Sequence, residues 1–165
     1  MINSTKYFSW GDIRGQNKNG TGSYSFSRTN YNAGKCGKGH TLTGDIPQGN
    51  ATYDAATANM GSPWKMPTKA QAQEMINGTT YTWTALNGVN GGKFTSKKDS
   101  SKYIFLPAGG QWGDTTLYYR DSIARYWITK WYERNYAYII YFTSDKHTIA
   151  EGNDCPYGFS VRAIQ

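Results

Sequence analysis

Apolar and polar positions follow a helical spacing twice in the first half of the chain and alternate over short stretches in the second half. The first helical stretch lies near Asp54 to Met60, where Ala55, Ala56 and Ala58 favour helix and Asp54 is a candidate cap. The second is clearer. Thr68 and Gln71 have the spacing of a capping box, Ala72, Met75 and Ile76 give an apolar stripe, and Asn77-Gly78 stops it. After residue 80 the period changes to two. Tyr81 to Thr84 alternates aromatic and Thr, Asn90-Gly91-Gly92 reads as a turn before Lys93 to Thr95, and Pro107 ends the apolar run Tyr103 to Leu106. Tyr126 to Thr129 and Tyr136 to Phe142 are the strongest strand signals, and Val161 to Ile164 reads as a closing strand. Helices first and antiparallel strands afterwards make an α+β arrangement.

The first 50 residues behave differently. Tyr7 to Trp10 reads as a strand start and Trp10-Gly11-Asp12 as the turn leaving it. Asn17 to Gly49 is mostly irregular, a length that accompanies function or disorder, and its Tyr24, Phe26 and Tyr31 suggest that it packs down. No internal repeat or linker interrupts the chain. Its 165 residues suit one domain, 1–165, with a loop-rich part over 1–50. A compact fold of this length buries roughly 70% of its unfolded surface and needs neither a disulfide nor a metal for stability.

The formal charge of +7 is spread along the chain. The one tight group, Lys93, Lys97, Lys98 and Lys102, is interrupted by Asp99 and reads as a solvated loop, so no nucleic-acid partner is expected. The excess favours anionic partners such as acidic glycans or surfaces. No stretch approaches the roughly 20 apolar residues of a membrane span, so direct membrane insertion is not expected. No secretory signal precedes Lys6, which is compatible with a removed leader or with carriage on a virion. Cys36 and Cys155 either close a long segment as one disulfide or stand as two thiols. With His40 and His147 they lack metal-site spacing, and no metal or other cofactor is implied.

Four stretches stand in a fixed order. They are Asp54-Ala55-Ala56 with Trp64-Lys65-Met66-Pro67-Thr68; Ile104 to Gly110, reading Ile-Phe-Leu-Pro-Ala-Gly-Gly; Tyr126-Trp127 with Asn135-Tyr136-Ala137-Tyr138 and Tyr141-Phe142; and Gly158 to Ile164. Together they resemble the Fibrobacter-type major paralogous domain, an extracellular branch of the C-type-lectin-like fold, over nearly all of residues 50–165. The resemblance implies two helices flanking a small twisted antiparallel sheet, long irregular loops and chain ends close together. It also implies that Trp64, Met66, Phe105, Leu106, Trp127, Phe142 and Val161 are core, and that Arg162 ties down loop carbonyls or a carboxylate.

The departures from that family are as informative. Its members commonly carry Tyr-Trp-Ser-Ser-Ser and small residues before it. Here the sequence runs Tyr118-Tyr119-Arg120-Asp121-Ser122-Ile123-Ala124-Arg125, then Tyr126-Trp127-Ile128-Thr129-Lys130-Trp131-Tyr132-Glu133-Arg134. Large idiosyncratic residues set into a familiar frame are similar to the variable proteins of diversity-generating retroelements, in which surface positions near the C-terminus are randomised. Ordinary drift in a non-diversified paralogue gives the same protein sequence. On this resemblance, 110–165 is the variable ligand-binding part of a receptor-binding or adhesion module, displayed extracellularly on a phage or a bacterial cell surface. The partner it implies is a protein or glycan on a target cell surface, and an oligomer is compatible with it.

Seven of the 14 Tyr lie between residues 118 and 141. Along Tyr136 to Phe142, Tyr136, Tyr138 and Ile140 share one face and Ala137, Ile139 and Tyr141 the other, so one set is expected to be core. Tyr118, Tyr119, Trp131 and Tyr132, placed in loops beside Arg120, Arg125 and Arg134, carry no such obligation. Tyr, Trp and Arg dominate binding hot spots because they bury large area with few rotatable bonds and keep a polar handle. The expected ligand-binding set is Tyr118, Tyr119, Arg120, Asp121, Ile123, Arg125, Lys130, Trp131, Tyr132 and Arg134, with Glu151 and Asn153 from a second loop spanning His147 to Tyr157. Glu151, Asn153 and Asp154 offer calcium-type oxygen ligands, but the Glu-Pro-Asn and Trp-Asn-Asp patterns of calcium-dependent lectins are absent and no metal ligand is assigned. Catalysis is not expected. The Cys pair lacks the neighbourhood of the formylglycine-generating oxidases, no Gly-x-Ser-x-Gly is present, and no carboxylate pair is visible. A structural or carbohydrate-binding module of a bacterial surface protein is the alternative.

Overall fold

Asp54 organises the helical part of the chain. Its buried carboxylate accepts the backbone N–H groups of Ala56 and Thr57 and so caps α1 (Ala55–Met60). The same carboxylate reaches forward to the N–H of Met66 and back to that of Gly49. Helix α2 (Lys69–Gly78) starts at the expected capping box of Thr68 and Gln71 and ends at Gly78. Both caps follow directly from local chemistry, because a cap is satisfied within three residues.

A computed structural model describes residues 6–17, 26, 31, 42 and 44–165. Most of the stretch expected to be irregular, including Tyr24, Cys36 and His40, lies outside them; Phe26 and Tyr31 are described and buried. Besides the helices there are β1 (Lys6–Tyr7), β2 (Gln16–Asn17), β3 (Thr79–Leu86), β4 (Val89–Ser96), β5 (Tyr103–Pro107), β6 (Gln111–Gly113), β7 (Thr116–Tyr118), β8 (Ala124–Glu133), β9 (Tyr136–Phe142) and β10 (His147–Asp154). They form two three-stranded antiparallel sheets, β3-β4-β5 and β10-β9-β8, and two small pairs, β1-β2 and β6-β7. The architecture is sheet-rich α+β.

The β8–β10 sheet is covered on both faces at its centre. Trp127, Ala137 and Ile139 pack with Phe8, Trp10, Ala55, Ala56, Met66 and Phe159. On the opposite face Tyr126, Ile128, Ile140 and Phe142 pack with Ala72 of α2 and with Phe94 and Leu106 of the other sheet. The expectation of one core face along β9 is therefore corrected: alternation holds, but a layer stands on each side. Two buried indoles are tied across it, with Trp127 Nε1 donating to Phe8 O at 2.7 Å and Trp10 Nε1 to Ile128 O at 2.8 Å. Phe8 and Phe159 exchange backbone hydrogen bonds, so the start of the described chain lies beside its closing segment.

Four other expectations are corrected. The hairpin turn sits at Asn87-Gly88, both at positive φ as the tight two-residue hairpin requires, and Asn90 to Gly92 lie within β4. Gly91 is needed there for space: a Cβ would fall 2.3 Å from Leu106 O. His147 to Asp154 is a strand, not a loop, pairing with β9 through a bulge between Ala150 and Asn153. The closing segment makes isolated bridges, Ser160 with Tyr126 and Ile164 with Lys65, instead of a strand. Finally, Trp64 and Phe105 are half-buried in a cleft wall, while Met66, Leu106, Trp127, Phe142 and Val161 are core as expected.

Candidate functional site: an arginine among tyrosines

Between β7 and β8 the chain makes a turn over residues 119–123. Tyr119 and Asp121 adopt positive φ, 58° and 65°, a conformation that side chains with a Cβ rarely take. The carbonyl of Tyr119 accepts the N–H of Ile123 at 3.0 Å and the hydroxyl of Ser122 at 3.0 Å. Asp121 N donates to Ala108 O, and Gly110 N to Ile123 O, both at 2.8 Å. Gly110 itself has φ 70°, and a Cβ there would lie 2.2 Å from Tyr118 O. Glycine at this one position lets two segments close on each other, and the turn is fixed by backbone bonds.

That turn directs side chains to two sides. Tyr118 and Tyr119 stay exposed, with rings 6.1 Å apart. Arg125, the second residue of β8, is half-buried beside them. Its guanidinium carbon lies 5.7 Å from the ring centre of Tyr141, its partner in register on β9, and 5.6 Å from that of Phe159. Tyr119 and Tyr157 are also close enough to act on its charge. Gly113 sits beside two of these rings, where a Cβ would make ordinary contact with Tyr118 at 3.4 Å and Tyr157 at 3.7 Å. Arg125 forms no ion pair among the described residues, and its Nε has no hydrogen-bond partner. Burial pushes its pKa down, with Tyr141, Tyr119 and Tyr157 opposing. An arginine nonetheless stays charged in a protein. A desolvated cation that is given π-faces but no anion has binding capacity left unused.

The next two residues of the turn, Arg120 and Asp121, face the other way. They line a cleft of ≈ 630 Å³ with Lys6, Tyr7, Tyr126 and Arg162. The Arg120–Asp121 contact is long, 3.9 Å, and both side chains are more than half exposed. Arg162 makes no ion pair and no side-chain hydrogen bond among the described residues, so the expectation that it ties down carbonyls or a carboxylate is not met.

The remaining expected residues lie at the far end of β8. Seven residues separate Arg125 from Tyr132, roughly 23 Å along a strand. Trp131 and Tyr132 are strand residues rather than loop residues, Trp131 half-buried and Tyr132 exposed. Groups here are largely matched to one another. Lys130 Nζ is 3.3 Å from Asp45 Oδ2, Trp131 Nε1 donates to Arg134 O at 3.1 Å, and Asn153 Nδ2 donates to Glu151 O at 3.3 Å. Tyr138 donates its hydroxyl to Glu151 at 2.9 Å, packs edge-on against Tyr132, and receives Lys69 Nζ 4.1 Å above its ring. Glu151 raises the pKa of both phenols, through its charge on Tyr132 and through the hydrogen bond on Tyr138. Among the described residues no group of three or more His, Cys, Asp or Glu is placed to hold a metal ion. Cys155 is buried and disulfide-bonded, and Cys36, the only other cysteine, lies outside the described residues.

The twelve expected residues thus divide. Tyr118, Tyr119 and Arg125 share one surface, Ile123 lies half-buried in the same turn, and Arg120 and Asp121 face the cleft. Lys130, Trp131, Tyr132, Arg134, Glu151 and Asn153 lie at the other end. Sequence reasoning missed Tyr141, whose ring lies 5.7 Å from the Arg125 guanidinium carbon, and Tyr157, which acts on its charge. The signal for Tyr141 was available: it follows Ala137 and Ile139 on one face of β9, beyond the point where that face is fully buried. No protein family, curated protein or solved structure matches the chain.

Proposed function

We propose that this chain is a ligand-binding module of the C-type-lectin-like kind, engaging a protein or glycan through Tyr118, Tyr119 and Arg125, with Tyr141 and Tyr157 as the supporting rings. The observation that carries the proposal is Arg125, a half-buried guanidinium faced by aromatic rings and, among the described residues, supplied with no carboxylate. A ligand carboxylate, sulfate or phosphate would supply the missing charge, and neighbouring rings would bury its apolar parts. The backbone-fixed turn lowers the ordering cost of binding. Two helices preceding antiparallel sheets, and the pairing of Phe8 with Phe159, support the assignment to that fold.

On this proposal the module is displayed outside a bacterium or on a phage, is not an enzyme, and belongs to the diversified variable proteins of retroelements. The nucleotide sequence tests the last point: a near-identical repeat differing at adenines, beside a reverse transcriptase, is expected, and its absence refutes diversification. Binding is tested by probing glycan and cell-surface arrays with the wild-type chain and with Tyr119→Ala and Arg125→Ala. Signals lost in both variants support the site; signals unchanged in both place it elsewhere.

A further inference from the structure

A second site lies behind the same turn. The cleft is walled by Trp64, Phe105, Leu106, Pro107 and Val161, with Leu86 and Val89 exposed at its lip on either side of the Asn87-Gly88 turn. Two of these wall residues, Trp64 and Phe105, are large aromatics left half-buried where the family resemblance implies core. Its volume falls in the range of pockets that enclose a small molecule.

Charge at the cleft is one-sided. Lys6, Arg120 and Arg162 line it against a single carboxylate, Asp121. Asp121 is a weak partner, 3.9 Å from Arg120 and well solvated. Among the described residues Lys6 Nζ reaches only the amide oxygen of Asn59, at 3.4 Å. Among the described residues Arg162 makes no ion pair or side-chain hydrogen bond, although its backbone is held on both sides by the Ser160–Tyr126 and Lys65–Ile164 bridges. The hydroxyls of Tyr7 and Tyr126 donate to Gly109 O and Pro107 O, at 2.7 and 2.8 Å, so what the cleft still has to offer is cationic donors. Burial raises the pKa of both phenols, and they stay protonated at neutral pH.

We propose that this cleft binds a small organic acid, an apolar body seated on Trp64 and Phe105 with its carboxylate or phosphate held by Arg162 and Lys6. Arginine suits either acid because its planar fork pairs with two oxygens at once. The site is independent of Arg125, which lies on the other side of the turn.

Calorimetric titration of the full chain with 1-naphthoate, 1-naphthyl phosphate and neutral 1-naphthamide tests the proposal. At least one of the acids is expected to bind about ten-fold or more tightly than the amide, the size of one charge-assisted contact. The tighter of the two identifies the acid group. Arg162→Gln should abolish the preference while circular dichroism and Tm remain those of the wild type, and Arg125→Ala should leave it intact. Lys6→Gln, a half-buried position on the cleft lining, serves if Arg162→Gln fails to fold. Equal binding of acids and amide, a preference that persists in the Arg162 or Lys6 variant, or no binding of either acid overturns it.

Discussion

Arg125 lies over Phe159, its guanidinium carbon 5.6 Å from the ring centre, and Phe159 in turn stacks on Trp127 at 4.3 Å. A charged group thus sits at the outer end of an aromatic column that begins in the core. Such placement weakens a protein unless the charge is answered, and replacing a poorly compensated buried cation by an apolar residue of similar length is commonly neutral or stabilising. Arg125→Met is therefore expected to leave the stability to urea unchanged or to raise it, while array binding is lost. A loss of more than about 2 kcal/mol would make Arg125 a structural residue.

Asp54 is the reverse case, a buried charge answered in full by the N–H groups of Gly49, Ala56, Thr57 and Met66. Asp54→Ala strips three buried donors, on Ala56, Thr57 and Met66, and the part-buried N–H of Gly49 of their acceptor at once. The expected cost is about 3 kcal/mol or more of unfolding free energy, measured by urea denaturation. A cost below about 1 kcal/mol would mean that the loop, the cap and the Trp64–Met66 strand-like segment hold without it.

The turn that presents Tyr119 depends on one missing side chain. Gly110→Ala forces a Cβ into Tyr118 O and a positive φ on alanine. Destabilisation by about 1–3 kcal/mol is expected, together with loss of array binding even though no contact residue has changed. Wild-type stability and wild-type binding in this variant would show that the turn is not what orients the site.

How much of this was legible beforehand follows from the range of each interaction. The two caps, at Asp54 and Thr68, are complete within a few residues and were read correctly. The β10 strand was not, because Glu151-Gly152-Asn153-Asp154 has loop composition and is held as a strand by β9 across the bulge. Gly91 and Gly92 looked like a turn because sequence cannot tell a glycine that bends from one that makes room; a Cβ on Gly92 would lie 2.7 Å from Tyr81 and 2.9 Å from Phe142. The Tyr and Arg residues stood out by type, but their grouping did not. Arg125 meets Tyr141, Tyr157 and Phe159 only through strand register and the closing segment, and Lys130, Trp131, Tyr132 and Arg134 are its sequence neighbours yet lie toward or just past the other end of β8.

Alkaline titration tests one buried and one half-buried phenol. Tyr126 and Tyr81 hold pKa values raised above the ordinary 10.0 mainly by burial, Tyr81 to about 12. Folded-state values above the unfolded value mean that their contribution is complete below about pH 10 and declines as the pH climbs towards the folded values. Tm should stay level with respect to these groups up to about pH 10 and then fall, with less of a fall in Tyr81→Phe and Tyr126→Phe. An equal fall in wild type and both variants would show that neither phenol is linked to folding.

The central claim is that recognition is centred on Arg125 and Tyr119 and not on the far end of β8. It is tested most directly by measuring Kd for a ligand captured on the array, in parallel for Tyr119→Ala, Arg125→Ala, Trp131→Ala and Tyr132→Ala. Losses of about 30-fold or more are expected for the first two, as for hot-spot residues, and losses below about 3-fold for the last two. The opposite order, with Tyr119→Ala and Arg125→Ala binding as the wild type does, would contradict the account.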